Sequence, residues 1–324
     1  HEQRPLDWWE NIRKATREIN TQFGLSDVGA IGISGHSLGT VAVDRKGNLL
    51  TETTPIWSDT RAVAQAENFF KKVDYQSWYE TTGNGFPRHL YALFKQMWIK
   101  EQLPKVYDKT TCFLGSKDYI NLRLTGKMIT DRSYASGSGA YSLQEEQYIE
   151  DYLQAAGIDL EKLPQVVSSA EVIGEVSEEA AKELGLSSGI PVVAGGVDNA
   201  CMTLGANCKK IGDGYASLGT SAWVTVCAET PSVNFAAKTY TFAHCIPGQY
   251  LPSAGIFSSG SSLEWVIHNL FGNLAEAENV YERLSEMVRR TPAGAHGLYF
   301  IPNLAGGSSF DPSPDVRGLL AGLD

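Results

Sequence analysis

Val193-Ala194-Gly195-Gly196-Val197-Asp198-Asn199 is the stretch of sequence that decides the fold. Its apolar beginning predicts a buried strand, and a helical pattern follows from about residue 199. The two glycines permit a tight turn and let a ligand approach the backbone closely. An aspartate at such a strand end can accept a proton from an alcohol that attacks phosphorus. Aspartate is also a common helix cap, so the pattern leaves two roles open for Asp198, a catalytic base or a cap.

Periodic segments on both sides of this stretch predict alternating strands and helices. We expect helices over residues 5–22, much of 61–161, 176–184 (with Ser177 as its cap), 260–271 and 276–289. We expect strands at 28–35, 41–44, up to 56–59, 190–196, 211–218, 221–226 and 239–245, and loops at 82–88, 130–140 and 164–174. Strands followed by helices, twice over, predict an α/β protein of two domains, 1–207 and 208–324.

Length and composition agree with two globular domains and exclude several function classes. The chain has 324 residues, of which 43% are hydrophobic and 20% charged, with a formal net charge of −10. An acidic protein is a poor partner for nucleic acid. No apolar run approaches the roughly 18 residues that span a bilayer, and the polar N-terminus does not resemble a signal peptide. Five cysteines without a C-x-x-C pair favour a reducing compartment. We therefore predict a cytoplasmic protein without nucleic-acid or membrane partners.

A second candidate site is the turn Gly219-Thr220-Ser221 between two predicted strands. The backbone N–H groups and hydroxyls of such a turn can donate hydrogen bonds to a phosphate. An ordinary hairpin turn is the other interpretation, and the turn alone favours it. The chain has no G-x-x-x-x-G-K-[ST] loop, so a phosphate site of that type is not expected.

Two more polar segments are candidates. If Trp57, Asp59 and Arg61 lie at alternating positions of a strand, they share one face and can form a wall for a polyhydroxylated ligand. The alternative is an Asp59–Arg61 surface pair beside a core tryptophan. The segment Lys117-Asp118-Tyr119 and the later Thr130-Asp131-Arg132-Ser133 are also polar. Alone, these two segments favour a loop-rich surface.

Taken together and in order, these segments resemble the FGGY family of carbohydrate kinases, in particular its xylulose-kinase-like branch. The resemblance covers nearly the whole chain. One departure is Gln96, which stands where the family's first signature has an apolar residue. The segments that carry it are Glu2-Gln3-Arg4-Pro5-Leu6-Asp7-Trp8-Trp9, Trp57-Ser58-Asp59-Thr60-Arg61, Lys95 with Trp98, Lys117-Asp118-Tyr119 with Leu124-Thr125-Gly126, Gly195-Gly196-Val197-Asp198-Asn199 and Gly219-Thr220-Ser221.

The resemblance implies an actin-like (ribonuclease H-like) fold whose two α/β domains close over a central cleft. Sugar would bind mainly to the first domain, and ATP with Mg²⁺ to the second. By match, Asp198 is the general base and Asn199 a sugar contact. The Gly219-Thr220-Ser221 turn faces the phosphates, and Gly260 and Glu264 fall where the family contacts nucleotide. A homodimer is compatible with the resemblance.

The chain also departs from the family pattern at its ends. The D-x-G-T-type hairpin that helps to hold metal and phosphate would precede residue 1, and the adenine-binding segment would follow residue 324. We therefore expect a chain that is truncated at both ends, that lacks the first hairpin and the C-terminal part of the fold, and that is inactive by itself.

The substrate is left open by two positions. Glycerol kinases carry Arg-Glu, and xylulose kinases Met-His, where this chain has Ser37-Leu38. Arg132 stands where glycerol kinases place a substrate-contacting tyrosine. If Arg132 faces the sugar, it can pair with the carboxylate of a sugar acid such as gluconate; otherwise it pairs with a local carboxylate. The predicted substrate contacts are His36, Ser37, Trp57, Asp59, Arg61, Arg132 and Asn199.

We predict ATP-dependent phosphorylation of a hydroxyl on a ketopentose such as xylulose, or on a related polyol. One alternative is a gluconate-type sugar-acid kinase of the same family. Another is a non-catalytic sugar or nucleotide sensor of the same fold.

Overall fold

The computed structural model describes residues 1–85, 87–272, 277–308, 311, 313 and 315–323. The described chain forms two compact units. The first contains His1–Gly214 and Val226–Pro252, and the second contains Tyr215–Thr225 and the described residues from Ser253 onward. The division of the sequence at residue 207 stays a prediction. In the described residues, no helix combines the length and the apolar character that a membrane crossing requires.

A small mixed sheet forms the centre of the first unit. Strand β11 (Pro191–Val197) lies between β10 (Val172–Glu175), which is antiparallel to it, and β2 (Ile31–Gly35), which is parallel. The further strands of this unit are β1 (Glu2–Gln3), β3 (Val41–Val43), β4 (Thr54–Pro55), β5 (Cys112–Leu114), β6 (Ile129–Asp131), β7 (Tyr141–Ser142), β8 (Gln147–Tyr148), β9 (Gln165–Val167) and β14 (Tyr240–Ala243).

Helices α1 (Pro5–Phe23), α6 (Ser116–Thr125) and α9 (Glu178–Leu184) contribute to a hydrophobic core with this sheet. Their ends follow local sequence rules. Pro5 occupies the first turn of α1, where its missing N–H costs nothing. The Ser177 hydroxyl accepts a hydrogen bond from the Ala180 N–H at 3.2 Å, which confirms it as the predicted cap of α9.

A second, aromatic core lies among the remaining helices of the first unit. Phe69, Trp78 and Phe94 are fully buried there, and their rings meet edge-on or tilted. The helices that contribute to this core are α2 (Val63–Phe69), α3 (Tyr75–Thr82), α4 (Ala92–Gln102), α5 (Pro104–Lys109) and α8 (Glu150–Ala156). The first unit also contains α7 (Arg132–Ser136), α10 (Asp198–Gly205) and 3₁₀ turns at Arg88–Leu90 and Leu160–Lys162.

The second unit contains most of strands β12 (Gly214–Leu218) and β13 (Ala222–Val226) and the second half of β15 (Tyr250–Ile256). Strand β12 neighbours β13, and β13 pairs antiparallel with β15 from Ala222 opposite Ile256 to Thr225 opposite Ser253. The other elements are α11 (Gly260–Leu270), α12 (Val280–Arg290), a 3₁₀ turn at Ala295–Gly297, β16 (Tyr299–Ile301) and β17 (Leu319–Ala321). Residue 276, where a helix was predicted to begin, lies outside the described residues.

Three sequence predictions of local structure are wrong. The predicted loop 130–140 contains the end of β6 and the whole of α7, because the Asp131 carboxylate caps this short helix by accepting the N–H groups of Ser133 and Tyr134. Residues 56–59 form a turn and not the end of a strand, because the Asp59 N–H donates to the Ile56 carbonyl at 3.1 Å and closes the turn locally. The predicted loop 164–174 contains β9 and β10. Both strands are only three or four residues long, and the strands with which they pair, β6 and β11, lie outside the segment, so local pattern did not reveal them.

Candidate functional site

The site in the first unit lies at the carboxyl ends of two parallel strands. Val197 at the end of β11 pairs with Gly35 at the end of β2. The residues that follow are Asp198 after β11 and His36-Ser37 after β2, so both segments leave the sheet at one edge. In α/β sheets this edge is the usual place for ligands.

Two glycines shape the approach to Asp198. Gly195 has φ +70°, and a Cβ at this position would collide with the Ile33 carbonyl oxygen. A Cβ on Gly196 would collide with the sulfur of Cys245, and it would lie 3.2 Å from the sulfur of Cys201 and 3.3 Å from the hydroxyl oxygen of Ser133. Both positions therefore require glycine because neighbouring atoms occupy the space of a side chain.

Asp198 is the first residue of α10, and Val197 holds the N-cap position. The Asp198 Oδ1 atom accepts the Asn199 N–H at 2.9 Å, so the carboxylate does assist the helix end without being the cap residue. Burial raises the pKa of Asp198 above its ordinary value, while the Asn199 N–H and the nearby His36 oppose that rise. The side chain nevertheless remains partly exposed. A half-buried carboxylate of this kind is a stronger base than one in water.

His36 lies beside this carboxylate. Its ring packs edge-on against Trp8, with ring centroids 5.4 Å apart, and its Nδ1 lies 3.3 Å from the Ser37 carbonyl oxygen. Within the described part of the chain, its buried Nε2 has no hydrogen-bond partner. Burial lowers the pKa of His36, which favours a neutral ring near pH 7.

The Trp57–Arg61 segment is a turn, and its three predicted wall residues have different environments. Asp59 is buried and accepts hydrogen bonds from Arg61 Nε at 2.7 Å and Nη2 at 2.9 Å. The Arg61 guanidinium also donates to Glu2 and lies 4.6 Å from the ring centroid of Trp98. Trp57 is 48% exposed. The structure therefore contains the Asp59–Arg61 pair, stacked on Trp98, and leaves Trp57 open to solvent.

Arg132 forms an ion pair with Glu146, whose backbone has the left-handed φ of 54°. This is the local carboxylate that the second interpretation of Arg132 requires. A role for Arg132 in sugar binding stays a proposal.

The expectation of a loop-rich surface around Lys117 and Asp131 is wrong. Lys117, Asp118 and Asp131 are fully buried. Lys117 Nζ bonds Asp118 at 2.5 Å, Asp131 at 2.9 Å and the Ala194 carbonyl at 3.2 Å. These three charged side chains can be buried because each is paired with a group of opposite charge. Asp118 is the next residue in the chain, but Asp131 and Ala194 lie on other elements, and polarity in a short window could not indicate them.

This buried ionic cluster (Lys117, Asp118 and Asp131) connects to the turn that carries the base. Asp131 Oδ2 accepts the Ser133 hydroxyl at 2.6 Å, and Ser133 Oγ accepts the Val197 N–H at 2.9 Å. The cluster thus fixes the residue immediately before Asp198.

In the second unit, the predicted phosphate turn docks on the start of α11. The Gly260 N–H donates to the Gly219 carbonyl at 2.9 Å, and the Ser259 N–H donates to the Thr220 carbonyl at 2.9 Å. Gly219, Thr220 and Ser221 are exposed. Glu264 is exposed one helical turn after Gly260. The structure therefore brings the predicted nucleotide residues of this unit together.

Comparison of the sequence with models of protein families shows the family of this chain. The N-terminal domain of the FGGY family of carbohydrate kinases matches residues 1–205, and the C-terminal domain of the same family matches residues 214–324. The chain belongs to the FGGY family of carbohydrate kinases. The predicted actin-like, ribonuclease H-like α/β fold of two domains is thereby confirmed.

The relatives that the chain resembles include kinases named for different sugars. The chain is 28% identical to a xylulose kinase of Staphylococcus xylosus, over 99% of this chain and 65% of the relative. It is 27% identical to a gluconokinase of Bacillus subtilis (strain 168), over 99% of this chain and 63% of the relative. The crystal structure of xylulose kinase from Rhodospirillum rubrum superposes with a TM-score of 0.91 at 29% identity, covering 100% of this chain and 64% of that one. The chain thus spans slightly less than two thirds of the length of each of these FGGY proteins.

Proposed function

We propose that the full-length protein transfers the γ-phosphoryl group of ATP to a hydroxyl of a ketopentose such as xylulose, or of a related polyol. The observation that carries this proposal is the half-buried Asp198 carboxylate at the carboxyl ends of β2 and β11, with a raised pKa. The resemblance to xylulose kinases supports the substrate class.

In the proposed reaction, the sugar hydroxyl loses its proton to Asp198 as its oxygen attacks the γ-phosphorus, and ADP leaves. The Asn199 N–H donates to the carboxylate and helps to hold it in place. The half-exposed Trp57 offers an aromatic surface to the sugar ring. Among the described residues, no three or more His, Cys, Asp or Glu side chains are grouped so that they could hold a metal ion by themselves. Mg²⁺ in the proposed reaction would be bound largely by the phosphates of ATP. Homodimer formation and a cytoplasmic location stay predictions.

A gluconate-type substrate is the second candidate, because one relative is named a gluconokinase and Arg132 can pair with a carboxylate. The observed Arg132–Glu146 pair weakens this candidate, since the guanidinium already has an anionic partner. The two candidates therefore differ in whether Arg132 must leave Glu146 when the substrate binds.

A thermal-shift panel of xylulose, xylitol and gluconate on the full-length protein tests the proposed substrate. A ligand at 100 times its Kd stabilises the native state by about 2.7 kcal/mol, so a true substrate raises the Tm clearly. We expect a rise with xylulose or xylitol that persists in Arg132→Met. A rise with gluconate alone, abolished in Arg132→Met, would establish the second candidate instead. No rise with any of the three contradicts both.

Replacing Gly260 with alanine is expected to weaken nucleotide binding. Its Cβ would lie 2.7 Å from the Gly219 carbonyl oxygen, so the Gly219–Ser221 turn must shift. Overpacking of this kind typically costs about 1–3 kcal/mol, and we expect ATP affinity to fall roughly tenfold while sugar affinity is retained. Isothermal titration with ATP measures the change. Gly205→Ala is the matched control, since its added Cβ would meet no atom within 4 Å among the described residues outside its own stretch of helix. An unchanged ATP affinity would remove this turn from the nucleotide site.

A further inference from the structure

Lys95 is a fully buried lysine in α4 whose amino group joins three separate segments of the first unit. Its Nζ donates to the carbonyl oxygens of Leu90 at 2.6 Å, Leu38 at 2.8 Å and Trp57 at 3.4 Å. An ammonium group has three N–H donors, so three carbonyls can use its whole capacity. A buried charge is costly, and it persists where such bonds compensate it.

Two of the three segments carry candidate sugar contacts. Leu38 directly follows His36 and Ser37, and Trp57 opens the turn that contains Asp59 and Arg61. Leu38 has φ 61°, a left-handed backbone that a branched residue adopts at a cost of roughly 1 kcal/mol or more. Such a conformation persists where surrounding contacts enforce it. The bond from Lys95 to the Leu38 carbonyl is a contact of that kind.

Lys95 also interacts electrostatically with charged or titratable residues of the 36–39 and 57–61 segments. Burial lowers the pKa of Lys95 to about 7, and the neighbouring carboxylate of Asp59 opposes this shift. His36 and His89 lie close enough for the Lys95 charge to lower their pKa values too. Lys95 is therefore the electrostatic neighbour of residues on both sugar-site segments, although it lies beneath them and is inaccessible to a ligand.

We propose that Lys95 is a positioning residue for the sugar site, holding the 36–39 loop against the 57–61 turn through the Leu38 and Trp57 carbonyls. This inference rests on the proposed function for its consequence, which is sugar affinity. The geometry itself does not depend on that function. Lys95 touches neither the sugar nor the reacting atoms; it sets the distance between the groups that do.

Hydrogen exchange on Lys95→Met tests the positioning role without any activity assay. Methionine keeps the apolar stem and removes the donor. We expect the amides of residues 39–40 and 59–61 to exchange at least about tenfold faster, while those of α6 are unchanged. Lys100→Met is the matched control, because Lys100 lies on the same helix and bonds the Gly157 carbonyl. Unchanged exchange in both segments would overturn the proposal.

Steady-state kinetics with the full-length protein separate positioning from general damage. We expect Lys95→Met to raise the sugar KM about tenfold or more with kcat and the ATP KM within about threefold. Lys95→Gln, whose shorter side chain keeps an N–H donor, should fall between Met and wild type, and it replaces Met if that variant does not fold. A fall in kcat at unchanged sugar KM would overturn the proposal. If the wild type phosphorylates no sugar, the proposed function fails, and the exchange experiment still decides the role of Lys95.

Discussion

Asp198→Asn is expected to lower kcat for phosphoryl transfer about 10²–10⁴-fold, the usual contribution of a positioned general base. Asparagine has nearly the same shape as aspartate, and its Oδ1 can still accept the Asn199 N–H that Asp198 accepts at 2.9 Å. It cannot take the proton of the sugar hydroxyl. Sugar affinity should therefore stay within about threefold of wild type, because the variant loses stabilisation of the transition state and not binding of the substrate.

Titration calorimetry with the sugar and a coupled ADP assay measure the two quantities. Asp44→Asn is the matched control, since Asp44 also accepts backbone N–H groups, those of Lys46 and Asn48, but lies in an exposed turn. If Asp198→Asn transfers phosphate at the wild-type rate, Asp198 is not the base. If it loses sugar binding and stability together, Asp198 acts through the structure of the turn.

The pH dependence of kcat gives an independent check on the same carboxylate. The base works in its ionised form, and burial places the pKa of Asp198 above the ordinary value of 3.8. Lowering the pH through that raised pKa protonates the base, so the acidic fall in kcat should occur at a higher pH than for an exposed aspartate. The amide of the asparagine variant does not titrate, and its residual rate should lack this fall.

The strand, glycine turn and helix around Asp198 could be predicted because their signals lie within a dozen residues. An apolar run, two glycines and a helical period are all local. The parallel pairing of β11 with β2 is not local, since more than 150 residues separate the strands, and the neighbourhood of Asp198 and His36 depends on it. Both residues were predicted to belong to the sugar site from the family resemblance, because the sequence does not give the distance between them.

The ionic residues show the same limit in another form. A window containing Lys117 and Asp118 is polar, and polarity alone predicts exposure. The Lys117 ammonium group can be buried because the fold places Asp131 and the Ala194 carbonyl, which lie on other elements, within reach of it. Lys95 is similar, because its three carbonyl acceptors lie on three segments. Every residue has a backbone carbonyl, so the sequence does not show which of them will accept a bond from a lysine. Buried charge is thus the property that local pattern predicts least well.

Lys117→Met is expected to lower the free energy of unfolding by about 3–5 kcal/mol, the range for removing one partner of a buried ion pair. Burial alone would lower the pKa of Lys117, but Asp118 and Asp131 raise it above its ordinary value, so the residue is charged in the folded protein. Methionine would leave two carboxylates in the interior without their cation. Urea denaturation followed by tryptophan fluorescence measures the loss.

Lys14→Met provides the control, because Lys14 pairs with Glu10 on the surface and 66% of its side chain is exposed. An exposed pair of this kind contributes about 0–1 kcal/mol. Adding Asp118→Asn to Lys117→Met removes one of the two unpaired charges and should restore part of the lost stability. A change below about 1 kcal/mol in Lys117→Met, or no restoration in the double variant, would mean that water or rearrangement neutralises the carboxylates. The hydrogen bonds from Asp131 through Ser133 to Val197 would then hold the base turn without help from the cation.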